Sequence, residues 1–158
     1  MKTYVITLSK TFPKGHIRAG EPTNFAHLLG NGLNLTHEGL QLCKHKIHTI
    51  RANYDLWAKR FADVERGEAC ISVREWADKP YRSKQVEIAR LTKEDGVGIQ
   101  SLHHHPDVGY AVDNNGWQAN LFTIAKNDGL SFDDWRSWFK YTDLSQPLAI
   151  IHFTKFRY

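Results

Sequence analysis

The sequence predicts a mainly β, α+β fold: a small β-barrel or half-barrel with flanking helices. Two observations carry that expectation. Short segments with period-two alternation follow one another as a meander through the middle of the chain, the pattern of antiparallel strands. A hydrophobic content of 41% with 12% aromatic residues, five tryptophans among them, argues against disorder and offers rigid bulk to fill a small barrel. At 158 residues the chain fits one domain, 1–158, with a core of its own.

Tyr4 to Leu8 reads as the first strand, with Tyr4, Ile6 and Leu8 on the core-facing side. An inserted segment at about 13–43 follows, opening in turn chemistry at Thr11-Phe12-Pro13-Lys14-Gly15 and Gly20-Glu21-Pro22. Within it Thr23 to Leu29 predicts a short helix that ends at Gly30-Asn31-Gly32. Beyond Arg51, the residues Tyr54, Trp57, Ala58 and Phe61 recur at helical spacing opposite Lys59, Arg60, Asp63 and Glu65, with Gly67 as the stop. That aromatic stripe is a core face. Glu68 to Trp76 and Ser83 to Leu91 alternate as two strands, Val97 to Leu102 offers a third, and Asp113-Asn114-Asn115-Gly116 marks a turn. Gln118 to Asn127 predicts a helix stopped by Gly129, and Ser131 with Asp134 an approximate capping box for a second helix through Phe139. Pro147 to Phe156 returns as an apolar strand expected to close the sheet.

The densest chemistry lies in Lys44-His45-Lys46-Ile47-His48-Thr49-Ile50-Arg51, where Lys46, Thr49 and Arg51 form a Lys-x-x-Thr-x-Arg pattern in a β-branched stretch. A lysine, a hydroxyl and a guanidinium can act as base, nucleophile and anion clamp. They are also ordinary residues for the basic end of an edge strand. In one regular strand Lys46 and Thr49 would face opposite sides, so an enzymatic reading demands that Lys46 precede the strand while Thr49 and Arg51 share a face.

This pattern, the amphipathic segment after it, the strand pair Glu68 to Trp76 and Ser83 to Leu91, and the closing stretch Pro147 to Phe156 resemble the ASCH domain family of small PUA-like β-barrel proteins. The resemblance spans about two thirds of the chain, and its motif is short, so element order carries as much of it as the motif does. Some ASCH proteins are amidohydrolases that remove the acetyl group from N4-acetylcytidine with a lysine, a threonine and a glutamate. The resemblance implies Lys46 as base, Thr49 as nucleophile, and Arg51 as the charge that lowers the lysine pKa and steadies an oxyanion or substrate phosphate. Asp128 stands nearest the position of the family's glutamate, one methylene shorter, in an Asn127-Asp128-Gly129 run that is also common turn chemistry.

A formal charge of +4 favours an anionic partner weakly. Arg74, Lys79, Arg82 and Lys84 interleave with Trp76 and Tyr81, the mixture expected where lysines and arginines track phosphates and rings stack on bases, or of a solvated hairpin loop. Trp76, Tyr81, Arg82 and His48 join Arg51 as candidate substrate contacts. The expected partner is a modified nucleoside or nucleic acid, RNA before DNA; the alternative is a non-catalytic RNA- or DNA-binding module. Glu87 and Glu75 are rival carboxylates better read as solvent-facing. His103-His104-His105 lacks companions at ligand spacing, so neither a metal nor any other cofactor is expected. Cys43 and Cys70 suggest buried, reduced thiols. With no signal-like start or long apolar run, the reading is of a soluble, cytoplasmic protein without a membrane partner.

Overall fold

The computed structural model describes residues 1–107, 109–113 and 118–158. It is α+β, with seven strands in two sheets and five α-helices among the described residues. β1 (Lys2–Leu8) buries Ile6 and Leu8, half-buries Tyr4 and exposes Thr3 and Val5, as its alternation demands. It runs parallel to β3 (Ala69–Trp76), which pairs antiparallel with β4 (Gln85–Leu91). The second sheet is antiparallel throughout, in the order β2 (His48–Arg51), β7 (Leu148–His152), β5 (Gly98–His105), β6 (Gly109–Val112).

No ladder joins the two sheets among the described residues, so the expected barrel closure is not made. The reason lies in β7. All five of its residues are buried and both of its edges are taken, by β2 and β5, which leaves the would-be closing strand in the middle of a sheet. The strand pair β3–β4 starts its second arm at Gln85 rather than Ser83, because the Ser83 hydroxyl is occupied in the turn: it accepts from Asp78 N at 3.1 Å and donates to the Lys79 carbonyl at 2.8 Å.

α1 (Phe25–Asn34) runs through Gly30 and Gly32 instead of stopping there. A Cβ at Gly32 would lie 2.3 Å from the Lys46 carbonyl oxygen, so this glycine lets the helix touch the Lys46 backbone. α2 (His37–Leu42) buries none of its residues, and Cys43 after it is exposed, contrary to expectation, whereas Cys70 is buried. α3 (Tyr54–Glu65) packs Trp57, Phe61 and Val64 inward, against β3 and β5. Each such aromatic or aliphatic burial stabilises by about 2 kcal/mol. α4 (Leu121–Asn127) and α5 (Phe132–Phe139) match the two helices expected; Ser131 Oγ caps α5 at Asp134 N, 3.1 Å. The Asp134 carboxylate accepts from Arg18 at 2.9 Å, which ties the inserted segment to α5. The turn expected at Asn114-Asn115-Gly116 lies outside the described residues. Among those described, no helix is long and apolar enough to cross a membrane.

Candidate active site

Within β2 the alternation sends Thr49 and Arg51 to one side and His48 to the other. Lys46 precedes the strand, in an extended segment held by Lys46 N donating to Leu28 O (2.9 Å) and Ile47 N to Asn127 O (2.9 Å). Its side chain therefore turns to the Thr49 side. Only 1% exposed, Lys46 Nζ donates to the carboxylate of Asp128 at 2.6 Å and to its carbonyl at 2.7 Å, and lies 4.2 Å above the centre of the Phe25 ring. Asp128 is the C-cap of α4, so its carbonyl is one a helix end leaves free, and a cation there meets the negative end of the helix dipole. Gly129 follows with φ +81°, the left-handed turn that carries the chain away over the Lys46 Cβ.

Arg51 Nη2 donates to the Thr7 carbonyl at 2.5 Å, joining the second sheet to the first, and its Nε is buried without a partner. Lys46, Thr49, Arg51 and Asp128 line one cavity of about 90 Å³, walled also by Thr7 to Ser9, Phe25, Leu130, Trp138 and Phe139. Burial pushes the Lys46 pKa down, with Arg51 adding to the shift and Asp128 opposing it. Burial pushes the Asp128 carboxyl up, against Lys46 and Arg51. The Trp135 indole N–H, near enough to favour the carboxylate, stops short of a formed hydrogen bond. Two cations against one carboxylate leave a positive charge in surplus, which is relieved by a neutral Lys46 or by an anion in the cavity.

Behind this group lies a polar layer. His48 is fully buried and its Nε2 is 2.6 Å from Tyr158 Oη; its Nδ1 is 3.8 Å from Asp128 Oδ1, beyond hydrogen-bond range. His48, expected among the substrate contacts, faces inward, away from Thr49 and Arg51, and does not line the cavity. Asn127 bridges Tyr158 Oη (3.0 Å) and His45 Nε2 (2.8 Å), while His152 Nε2 sits 3.0 Å from Gln100 Oε1. Both His48 and His152 have depressed pKa values, chiefly from burial, His152 to about 3.

Trp76, Tyr81 and Arg82 do not line the cavity. They sit at the end of the β3–β4 hairpin, with the Trp76 and Tyr81 rings 5.2 Å apart and Tyr81 90% exposed at φ 63°. Their link to the cavity runs through β1, since Gln85 Nε2, paired with Trp76, donates to Thr7 Oγ1 at 3.2 Å. Glu87 is exposed and bound to Ser72 and Arg90, and Glu75 lies 3.9 Å from Lys10, so neither reaches Lys46. His103 to His105 belong to β5 and alternate in direction; no group of three His, Cys, Asp or Glu among the described residues is placed to hold a metal ion. Sequence reasoning missed Phe25, Trp138 and Tyr158, which carry no local signal. A larger cavity, about 960 Å³, is lined by His27, Lys44, His45, Phe122 and Lys126 and shares only Leu130 with the first. Compared with models of known families, with curated proteins and with solved structures, the chain finds no match.

Proposed function

We infer that this chain is an amidohydrolase of the ASCH, PUA-like kind, cleaving the N-acyl group from a modified cytidine, with the two sheets as halves of an open barrel. The observation that supports it best is the buried Lys46 amine, bound twice to Asp128 in a cavity shared with Thr49 and Arg51. A neutral amine that gives both N–H groups to Asp128 keeps its lone pair for the Thr49 hydroxyl. Thr49 Oγ then attacks the acyl carbonyl as Lys46 takes its proton. Arg51 stabilises the oxyanion, Lys46 returns the proton to the departing amine, and water releases the acyl group from Thr49. A cavity of about 90 Å³ has the volume of about three waters. That suits an acetyl group, with the base at the mouth.

The test is mass-spectrometric deacetylation of N4-acetylcytidine by the wild-type chain, Lys46→Ala and Thr49→Ala. Cytidine release that both substitutions lower at least about a hundredfold supports the assignment; no release at high enzyme concentration sinks it. One observation favours the second reading, an RNA-binding module. Tyr81 holds a left-handed backbone, costly for a bulky residue, while presenting its ring to solvent beside Trp76. Affinity for single-stranded RNA that falls steeply with salt marks that function, whereas hydrolysis of a free nucleoside is nearly indifferent to salt.

A further inference from the structure

Four side chains run from the larger cavity to the back of Asp128. His45, which lines that cavity, has Nδ1 3.0 Å from the Cys43 carbonyl and Nε2 2.8 Å from Asn127 Oδ1. Asn127 Nδ2 donates to Tyr158 Oη at 3.0 Å, and Tyr158 Oη is 2.6 Å from His48 Nε2. His48 Nδ1, buried and without a hydrogen-bond partner, faces Asp128 Oδ1 from 3.8 Å. A buried polar atom left unpaired calls for an explanation.

The direction of each hydrogen bond follows from the two ends of the chain of contacts. With Asn127 Oδ1 and the Cys43 carbonyl as the acceptors on its two nitrogens, His45 carries hydrogen on both when it is an imidazolium. Asn127 then gives its N–H to Tyr158, the phenol gives its O–H to His48 Nε2, and the one proton of neutral His48 stands on Nδ1, toward Asp128. Neutral His45 reverses the chain. With Nδ1–H kept on Cys43, its bare Nε2 requires the Asn127 amide to turn its N–H toward it and its oxygen toward Tyr158. The phenol then donates to Asn127 and accepts from His48 Nε2–H, and His48 shows Asp128 a lone pair.

We propose that His45, Asn127, Tyr158 and His48 form a tautomer relay, in which the charge on His45 decides whether His48 offers Asp128 a proton or a lone pair. His48 is kept neutral by burial, His152 and Lys46, so it responds by moving its proton rather than gaining one. Burial raises the Tyr158 phenol pKa, which keeps its hydrogen in place. The effect on turnover rests on the hydrolytic reading. When Lys46 is neutral, Asp128 keeps only Arg51 as counter-charge, and His48 Nδ1–H is the reserve donor that steadies the carboxylate. His48 and Tyr158 are positioning residues in that scheme, acting on Lys46 through Asp128.

The groups that bear on His45 come from several elements. On its own segment are Cys43, Lys44 and Lys46, and His48 lies at the far end of the relay. Across the larger cavity are Arg18, His27, Lys126, Asp133 and Asp134, with Asp128 adjoining; three of these carry negative charge. Arg18 is already paired with Asp134.

Long-range proton–nitrogen NMR spectra of the ¹⁵N-histidine-labelled chain, recorded from about pH 8 to about pH 5 where imidazoles change charge, test the relay directly. The expected result is that His48 Nδ1 passes from bare to protonated with the midpoint at which His45 becomes charged. In Tyr158→Phe, His45 still titrates and His48 no longer follows. Should that variant not fold, His45→Gln replaces it and holds His48 in one tautomer at every pH. A single His48 tautomer across the wild-type titration, or a His48 that still follows in Tyr158→Phe, overturns the proposal. Neither spectrum depends on turnover, so an inactive wild type would defeat the hydrolytic reading, while the relay stands or falls on the His48 nitrogen shifts alone.

Discussion

Acidification should unfold this protein from its second sheet. His152 is buried in β7 with a pKa near 3, against 6.5 for the exposed imidazole, because the charged form would lose its water. The folded value is the lower one, so the unfolded chain binds more protons between the two. Stability is retained above pH about 6.5 and lost progressively as pH falls toward about 3. Moving from pH 7 to pH 5, the shift of His152 alone removes about 2 kcal/mol. His48, depressed for the same reason, adds to the loss. Asp128, raised by burial, takes up a proton in the fold and works the other way. Between pH 6 and pH 5 His152 alone contributes a slope of about 0.9 proton, about 1.2 kcal/mol per pH unit. Urea unfolding followed by tryptophan fluorescence at half-unit pH steps measures it. A flat stability from pH 7 to pH 5 would refute the reasoning, since a neutral, buried His152 cannot be reconciled with it.

Three further outcomes follow from the geometry. Asp128→Asn breaks the buried Lys46–Asp128 pair and costs about 3–5 kcal/mol, while the double change Lys46→Met with Asp128→Asn costs less than the sum of its parts; urea midpoints of the four chains close the cycle. Gly32→Ala places a methyl 2.3 Å from the Lys46 carbonyl and is expected to cost about 3 kcal/mol and to lower any hydrolytic activity by displacing Lys46; a wild-type melting curve would argue against the close approach. At Tyr81, with φ 63°, glycine should be about 1 kcal/mol more stable than alanine, and both should weaken single-stranded RNA binding by about 1–3 kcal/mol if the ring stacks on a base, with nucleoside turnover unchanged.

Elements whose evidence is local could be read from the sequence. β1 declares its buried side through Ile6 and Leu8, α3 through Trp57 and Phe61, and α5 through the Ser131 cap. What depends on distant pairing could not. The parallel match of Lys2 with Ala69 has no turn to signal it, and the five buried residues of β7 look the same in an edge strand as in a central one. The helix through Gly32 is the clearest case, because a residue that usually stops helices is retained here for contact with Lys46. At the site, the spacing of Lys46, Thr49 and Arg51 posed a geometric condition, and the Lys46 segment lies ahead of the strand as that condition required. Asp128 was reached only through resemblance, and Tyr158 was invisible because its hydroxyl is 110 residues from His48 along the chain.

The Arg51 bond to the Thr7 carbonyl crosses from one sheet to the other, and the Lys46 bond to Asp128 closes 82 residues of chain. Neither can form until distant segments have met, and contacts of such long sequence separation come late because loop-closure entropy must be overcome first. The site is therefore a fastener of the finished molecule. An intermediate with both sheets formed but not yet docked would hold its secondary structure with Lys46 still in water, an ordinary charged lysine, so chemistry that requires a buried amine begins only once folding is complete.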